Sequence, residues 1–230
     1  MEREPRNQAG ASHARLSSVI ARSASFSRRE LLALGAALAV CSWSEEGAAA
    51  RGPFYVLPFG TVPETEHRTV RDALVARYGV EVRILPAHAA PRAAWYAPRR
   101  RHRAEVLLDF LDERLPPDGA KILGLSHTDI STSKPPHVDW GILGLANIAG
   151  TSAVVSSFRC RRRARSSAHA LERLAKVAVH EVGHALGLPH CNDAPDCLMR
   201  DAGGSVLSLD GENDLCRACR ARLAARGWMI

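Results

Sequence analysis

Eleven consecutive residues, His180, Glu181, Val182, Gly183, His184, Ala185, Leu186, Gly187, Leu188, Pro189 and His190, constrain this chain more than any other stretch. Positions four apart on a helix lie one turn apart on one face, so His180 and His184 can point at a single cation. A third imidazole cannot come from the next turn, because at metal–nitrogen distances of about 2.0–2.1 Å it must approach from another direction. Gly187 tolerates the positive φ that ends a helix, and Pro189 follows where a helix cannot continue, so the chain can turn and return His190 to the same point. Three neutral imidazoles leave one coordination position open, the pattern of a catalytic rather than a structural zinc ion. Zinc lowers the pKa of a bound water from about 15.7 to about 7. Glu181, beside the first histidine, is placed to take that proton as general base and pass it to a leaving amine. The bland alternative, histidines that only pack or face solvent, leaves the glutamate and the glycine at these offsets without a reason.

The segment 168–186 that delivers the motif has good helix formers and no internal proline. Upstream, an apolar run at 54–57 ends at Pro58 and Gly60, and a helix over 64–78 and a strand over 80–85 follow, with Thr61 placed to cap that helix. A Pro- and Arg-rich loop, 86–101, leads to an amphipathic helix at 104–115, where Val106, Leu107, Phe110 and Leu111 share a face and Pro116 and Pro117 stop it. Residues 121–125 read as a strand and 127–139 as a polar, turn-rich loop. Two β-like runs, 142–148 and 152–158, flank a short turn as in a hairpin, and a last amphipathic helix covers 212–226. The expected fold class is α/β (α+β), with a mixed twisted sheet of about five strands, an active-site helix and a small helical C-terminal part.

Four of the six cysteines, Cys191, Cys197, Cys216 and Cys219, crowd around and after the histidine motif. Cys216 and Cys219 are one helical turn apart, as zinc ligands often are, and Arg200, Arg217 and Arg220 stand close enough in sequence to offset a thiolate cluster. The alternative is one or two disulfides in an exported protein. Because Cys191 directly follows His190, a metal on the cysteines would share a loop with the histidine site and pin its third ligand. Cys160 stands alone and reads as a buried or idle thiol.

The first fifty residues read as an address rather than as part of the domain. Ser27, Arg28, Arg29, Glu30, Leu31 and Leu32 open an apolar run, 31–41, too short to span about 30 Å of hydrocarbon, and small residues follow at 48–50. That pattern resembles a twin-arginine export signal with a peptidase site, which would leave a domain at 51–230, periplasmic or extracellular, with no transmembrane span. A lipoprotein anchored through Cys41, disfavoured by the bulk of Val40, and a cytoplasmic protein with a disordered tail are the alternatives. Most of the basic excess behind the net charge of +7 sits in two arginine clusters, at 99–103 and 159–165. Neither has interleaved aromatics or a reading element, so nucleic acid is not an expected partner, and the clusters read as solvated loop faces, with acidic substrates or surfaces as the alternative.

From His180 through Met199 to Cys219 the chain resembles the archaemetzincins, metzincin-clan zinc metalloproteases with a catalytic zinc and a second zinc on four cysteines. The resemblance continues more loosely through 96–108, 123–130 and 143–158. It implies a metzincin-like fold and two Zn²⁺ per chain: a catalytic ion on His180, His184 and His190, and a structural ion on Cys191, Cys197, Cys216 and Cys219. Met199 becomes the Met-turn residue, an apolar floor beneath the histidines. The implied substrate is a peptide or protein laid along an edge strand at 142–148, and the expected state is a monomer. One departure is that the loop 192–196 between the first two cysteines is one residue longer than the family pattern. The rival class is a non-catalytic zinc-binding interaction module, which has no use for a carboxylate beside its first ligand. A Cys-x-x-Cys redox protein would place the pair at a helix start, whereas Cys216 is expected inside a helix.

Overall fold

Two strands set the architecture because they are buried at every position: β1 (Phe54–Phe59) and β9 (Ser152–Ser156) have no face left for water. Such strands need cover on both sides, the situation of a largely parallel sheet between helices. The computed structural model, which describes residues 52–230 except 202, 204 and 229, has this form. The proposed export signal and Cys41 lie outside the described residues.

The main sheet runs β2-β1-β5-β9-β8. Its members β2 (Val82–Ile84), β1, β5 (Lys121–Ser126) and β9 are parallel, and β8 (Gly144–Ala146) closes one edge antiparallel to β9. Side chains alternate across β1. Phe54 and Val56 join Val70, Leu74 and Tyr78 of α1 (Glu64–Tyr78) and Leu174, Val177 and Val182 of α4 (Ser167–Ala185). Tyr55 and Leu57 face the other way, onto Leu107 and Leu111 of α2 (Ala104–Asp112). The expected mixed sheet of five strands, the helix 64–78 and the motif helix are therefore present, with three adjustments at their ends. Pro63, not Thr61, precedes α1, with no side-chain cap. Helix α2 stops at Asp112, and β9 passes at Ser156 into a short helix, α3 (Ser157–Cys160).

The loop expected at 127–139 is instead a hairpin, β6 (Ile130–Lys134) and β7 (His137–Ile142), which pairs with β4 (Arg101–Arg103) and β3 (Trp95–Tyr96) in a second sheet of order β3-β4-β6-β7. Serine, threonine, lysine and two prolines hide it in the sequence, because its cohesion comes from buried charge rather than apolar alternation. Arg101, only 7% exposed, lies between Asp129 at 3.4 Å and Asp139 at 3.6 Å. Arg159 forks Asp129 with bonds of 2.7 and 3.0 Å. Arg101 and Arg159 thus build the hairpin's base, a correction to their reading as solvated, whereas Arg99, Arg100, Arg161, Arg162, Arg163 and Arg165 are exposed as expected. Gly141 has no side chain because a Cβ there would meet the Arg159 guanidinium.

Two further expectations need correction. The run 142–148 is not one strand: Ile142 ends β7, Leu143 is buried, and only Gly144–Ala146 joins the main sheet. The last helix, α5, covers Arg217–Ala225, so Cys216 is its N-cap residue and not an internal one. Residues before it are held by the preceding loop, with Asn213 N donating to Asp196 O and Leu198 N to Asp214 O, each at 2.9 Å. Among the described residues no helix is long and apolar enough to cross a membrane.

One ion pair ties the segment between Cys197 and Cys216 back to α4. Arg173, 1% exposed, binds Asp210 through Nε and Nη2 at 2.7 Å each and donates Nη1 to the carbonyls of Cys160 and Arg162. The Arg173 guanidinium holds the Asp210 carboxyl well below the usual carboxylate range. A depressed folded-state pKa contributes stability that is full above the unfolded value of about 3.9 and is lost as pH falls through the folded one. Asp210→Asn should therefore lower stability at pH 7 by about 2 kcal/mol. It should also flatten the acid limb of a plot of melting temperature against pH. An unaltered acid limb would show that the pair does not tie this segment down.

Candidate active site

Helix α4 begins at Ser166, whose hydroxyl accepts from the His169 amide, and runs unbroken to Ala185, carrying His180 and His184 on one face. Their ring centroids are 4.6 Å apart. Each ring is oriented by its far nitrogen: His180 Nδ1 donates to Leu198 O at 2.6 Å, and His184 Nδ1 donates to Leu188 O at 2.7 Å. These bonds select one tautomer and leave both Nε2 atoms as lone-pair donors, 3.0 Å apart. The edge of a zinc tetrahedron with imidazole ligands is about 3.3 Å.

Past the helix the chain turns at Gly187, whose φ is +92°, with Gly187 N donating to His184 O at 2.8 Å and Leu188 N to Gly183 O at 2.9 Å. The turn both supplies the Leu188 carbonyl and returns His190, whose ring centroid comes to 4.8 Å from His184 and 5.5 Å from His180. One ligand atom from each of the three lies within 4.8 Å of the others. Burial pushes His180 down to about 3 and lowers His184, so both are neutral, the state a metal requires. Three convergent imidazole nitrogens fit zinc.

Glu181 forms part of the wall of a cavity of about 330 Å³ that the histidines also line. It is 7% exposed, and burial pushes its carboxyl up to about 8. Gly144 of β8 packs directly on it, since a Cβ at 144 would stand 2.6 Å from Glu181 Oε1. Lys134, Trp140 and Ile142 of the β6–β7 hairpin also line the cavity. Met199 is fully buried beside α4: a Cβ at Gly183 would lie 2.6 Å from its sulfur, so the helix can approach the methionine only through a glycine.

The four cysteines also meet. Cys191 and Cys216 sulfurs are 3.6 Å apart, Cys197 and Cys219 sulfurs 3.7 Å, and all four lie within 4.8 Å of one another. A disulfide needs about 2.0 Å, whereas ligands of one zinc at about 2.3 Å stand about 3.8 Å apart. Backbone amides of Asp193, Met199 and Cys216 donate to the sulfurs of Cys191, Cys197 and Cys197 respectively, at 3.4, 3.5 and 3.4 Å, a disposition suited to thiolates. Cys160 is elsewhere: it is buried, it donates to Ser156 O, and burial pushes its thiol up to about 12.

Every candidate site residue thus falls into one of two clusters or packs against one. The sequence did not show the Leu188 and Leu198 carbonyls, which any residue type supplies. Nor did it show the hairpin rim, or Glu212 in the cavity wall. Gly144 carried a signal, since a glycine inside a strand pattern marks a close approach.

Residues 84–225 match the model of Peptidase family M54. The chain is 30% identical over 176 residues to the archaemetzincin of Natronomonas pharaonis, an alignment covering 73% of this chain and 97% of that protein. It is 31% identical over 170 residues to the archaemetzincin of Archaeoglobus fulgidus, covering 74% and 97%. Among solved structures, the crystal structure of the Archaeoglobus fulgidus archaemetzincin complexed with malonate matches with a TM-score of 0.62 and 31% identity, over 74% of this chain and 99% of that one. The Methanopyrus kandleri archaemetzincin matches with a TM-score of 0.64 and 26% identity, over 77% and 96%. Sheet, motif helix and sequence lead to the same place: the chain belongs to peptidase family M54, the archaemetzincins, and is a zinc metallopeptidase.

Proposed function

We propose that His180, His184 and His190 hold the catalytic zinc of this peptidase, that Glu181 is its general base, and that Cys191, Cys197, Cys216 and Cys219 hold a second, structural zinc. One observation carries the reading: two Nε2 atoms 3.0 Å apart, freed by carbonyl bonds to their far nitrogens, share a cavity wall with the buried Glu181 carboxyl, which a dication on the histidines would hold ionised. When bound, zinc supplies a polarised water of lowered pKa. Glu181 accepts the proton that water gives up and returns it to the leaving nitrogen, and its burial excludes competing solvent. Strand β8 is the last in its sheet, so its outer edge can add an extended peptide by backbone hydrogen bonds.

Cys216 at a helix start removes one argument against a redox pair, but the convergence of four sulfurs favours a metal. The proposal extends to residues 1–50 as a twin-arginine-type export signal, with the domain acting outside the cytoplasm. Such a route carries folded proteins and suits a zinc site that must be loaded with its thiols reduced. Lipidation at Cys41 and a cytoplasmic location are the alternatives.

Glu181→Gln keeps size and shape while removing the base. Zinc content and melting temperature should stay near wild type, and hydrolysis of a susceptible peptide should fall by at least about 10²-fold. A wild-type rate in this variant excludes Glu181 as the base, and a wild type that cleaves nothing in a broad peptide library favours the interaction-module reading. Gly144→Ala puts a methyl group where the Glu181 side chain lies, so activity should fall by about tenfold or more with zinc retained. Normal turnover there would mean that Glu181 need not stay where it is. Cys216→Ser should lose one zinc equivalent and melt at lower temperature, since structural zinc contributes folding free energy. Thorough reduction of the wild type with zinc present should leave folding intact; unfolding would point to disulfides.

A further inference from the structure

Glu212 is an ionisable residue in the cavity wall that the proposed hydrolysis does not use. It forms part of the wall beside Val177 and Leu209, one helical turn along α4 from His180 and Glu181. The residue is 2% exposed, and its Oε2 is buried with no hydrogen-bond partner. The backbone around it is fixed, with Glu212 N bonded to Leu209 O at 3.3 Å and Asp210 held by Arg173. Nearby cations are committed elsewhere: Lys176 Nζ donates to Leu209 O at 3.0 Å and pairs with Glu172 at 2.8 Å, and Arg200 donates to Pro195 O at 2.9 Å.

An unpaired carboxylate on a largely apolar wall is costly until a cation joins it. Burial pushes the Glu212 carboxyl up to about 7, against the smaller opposing pull of Lys176 and Arg200. Asp201, also on the cavity wall, adds a second acid, and Lys134 on the hairpin rim is the cavity's one lysine or arginine among the described residues. Because the whole chain carries a net charge of +7, attraction for a cation here is local to the cavity and does not follow from the overall field.

We propose that Glu212 is a specificity-determining residue that selects a positively charged substrate side chain, lysine or arginine, at the position entering the cavity beside Val177 and Leu209. This rests on the peptidase reading. The neighbouring apolar side chains would pack on the aliphatic stem of such a residue while the carboxylate meets its charged end. A free amino terminus has the same chemistry, but blocking it separates the two sources.

The test uses the full zinc-loaded chain and peptides acetylated at the N-terminus and amidated at the C-terminus, identical except for lysine, arginine, norleucine or glutamate at one scanned position. Lysine and arginine should exceed norleucine in kcat/KM by about tenfold or more, the scale of one well-placed charge contact. The difference should lie mainly in KM, and glutamate should be poorest. In Glu212→Gln, a replacement of equal size, the lysine-to-norleucine ratio should fall close to one. Binding of the same peptides to Glu181→Gln, read by calorimetry without turnover, should show the same preference, and Glu181→Gln with Glu212→Gln should lose it.

Cleavage with no preference for a basic residue overturns the assignment while leaving the peptidase reading intact. A preference that survives Glu212→Gln overturns it too, and passes the role to another acid such as Asp201. A preference seen only in parallel peptides with free amino termini replaces the side chain by the terminus and also counts against it. If the wild type cleaves no peptide but Glu181→Gln binds lysine peptides in a Glu212-dependent way, the pocket assignment stands and the peptidase reading falls; no cleavage and no selective binding overturns both.

Discussion

The hydrogen bond from His180 Nδ1 to the Leu198 carbonyl, 2.6 Å long, joins the most regular part of the molecule to one of its least regular. A helix can place two imidazoles on one face, but it cannot choose their tautomers or stop their rings from rotating. Leu198 does this for His180, and it lies in a stretch without helix or strand of its own. Holding such a stretch costs conformational entropy at every residue, so something must offset that cost. Cys197 immediately precedes Leu198, Leu198 N is bonded to Asp214 O, and Cys191 N is bonded to Met199 O. The cysteine cluster therefore restrains both neighbours of the histidine site: His190, next to Cys191, and the carbonyl that orients His180.

The hairpin part of the cavity wall is restrained by a different force. Arg101 and Arg159 share Asp129, and Arg101 also reaches Asp139, so the hairpin that carries Trp140 and Lys134 is anchored through ion pairs beneath it. Low exposure of Arg101, Asp129 and Asp139 makes this arrangement demanding: a partner removed leaves a buried charge unpaired. The same demand makes it specific, because only one hairpin register brings these charges together. At the cavity's third side the Arg173–Asp210 pair holds Leu209 and Glu212 against α4. Hydrophobic burial builds the sheet and its helices, whereas charge and thiols position the loops that shape the site.

Close approaches complete the arrangement. Gly183 lets Met199 reach the helix, and Gly144 lets β8 lie on Glu181. Both are absences of a side chain at a contact between elements far apart in sequence. Residues of β8 and Glu181 consequently line one cavity.

Local chemistry was enough to read much of this from the chain. Four-residue spacing placed His180 and His184 together, glycine at 187 marked the turn back to His190, short apolar runs marked β1 and β5, and helical patterning marked α1 at its observed bounds and α4 within a residue at each end. Those features depend on neighbours within a turn or a strand, where backbone geometry alone dictates which side chains share a face. The hairpin at 130–142, the division of 142–148 between two sheets, and the start of α5 at Arg217 depend on partners dozens of residues away. A salt bridge from Arg159 to Asp129, or a bond from Leu198 N to Asp214 O, has no periodicity to betray it. The sequence by itself determined which residues could ligate a metal and on what helix they ride. Only the tertiary structure decided how those ligands are oriented, what roofs them, and that Glu212 lies in the cavity wall, because each is a contact between segments that chain order leaves apart.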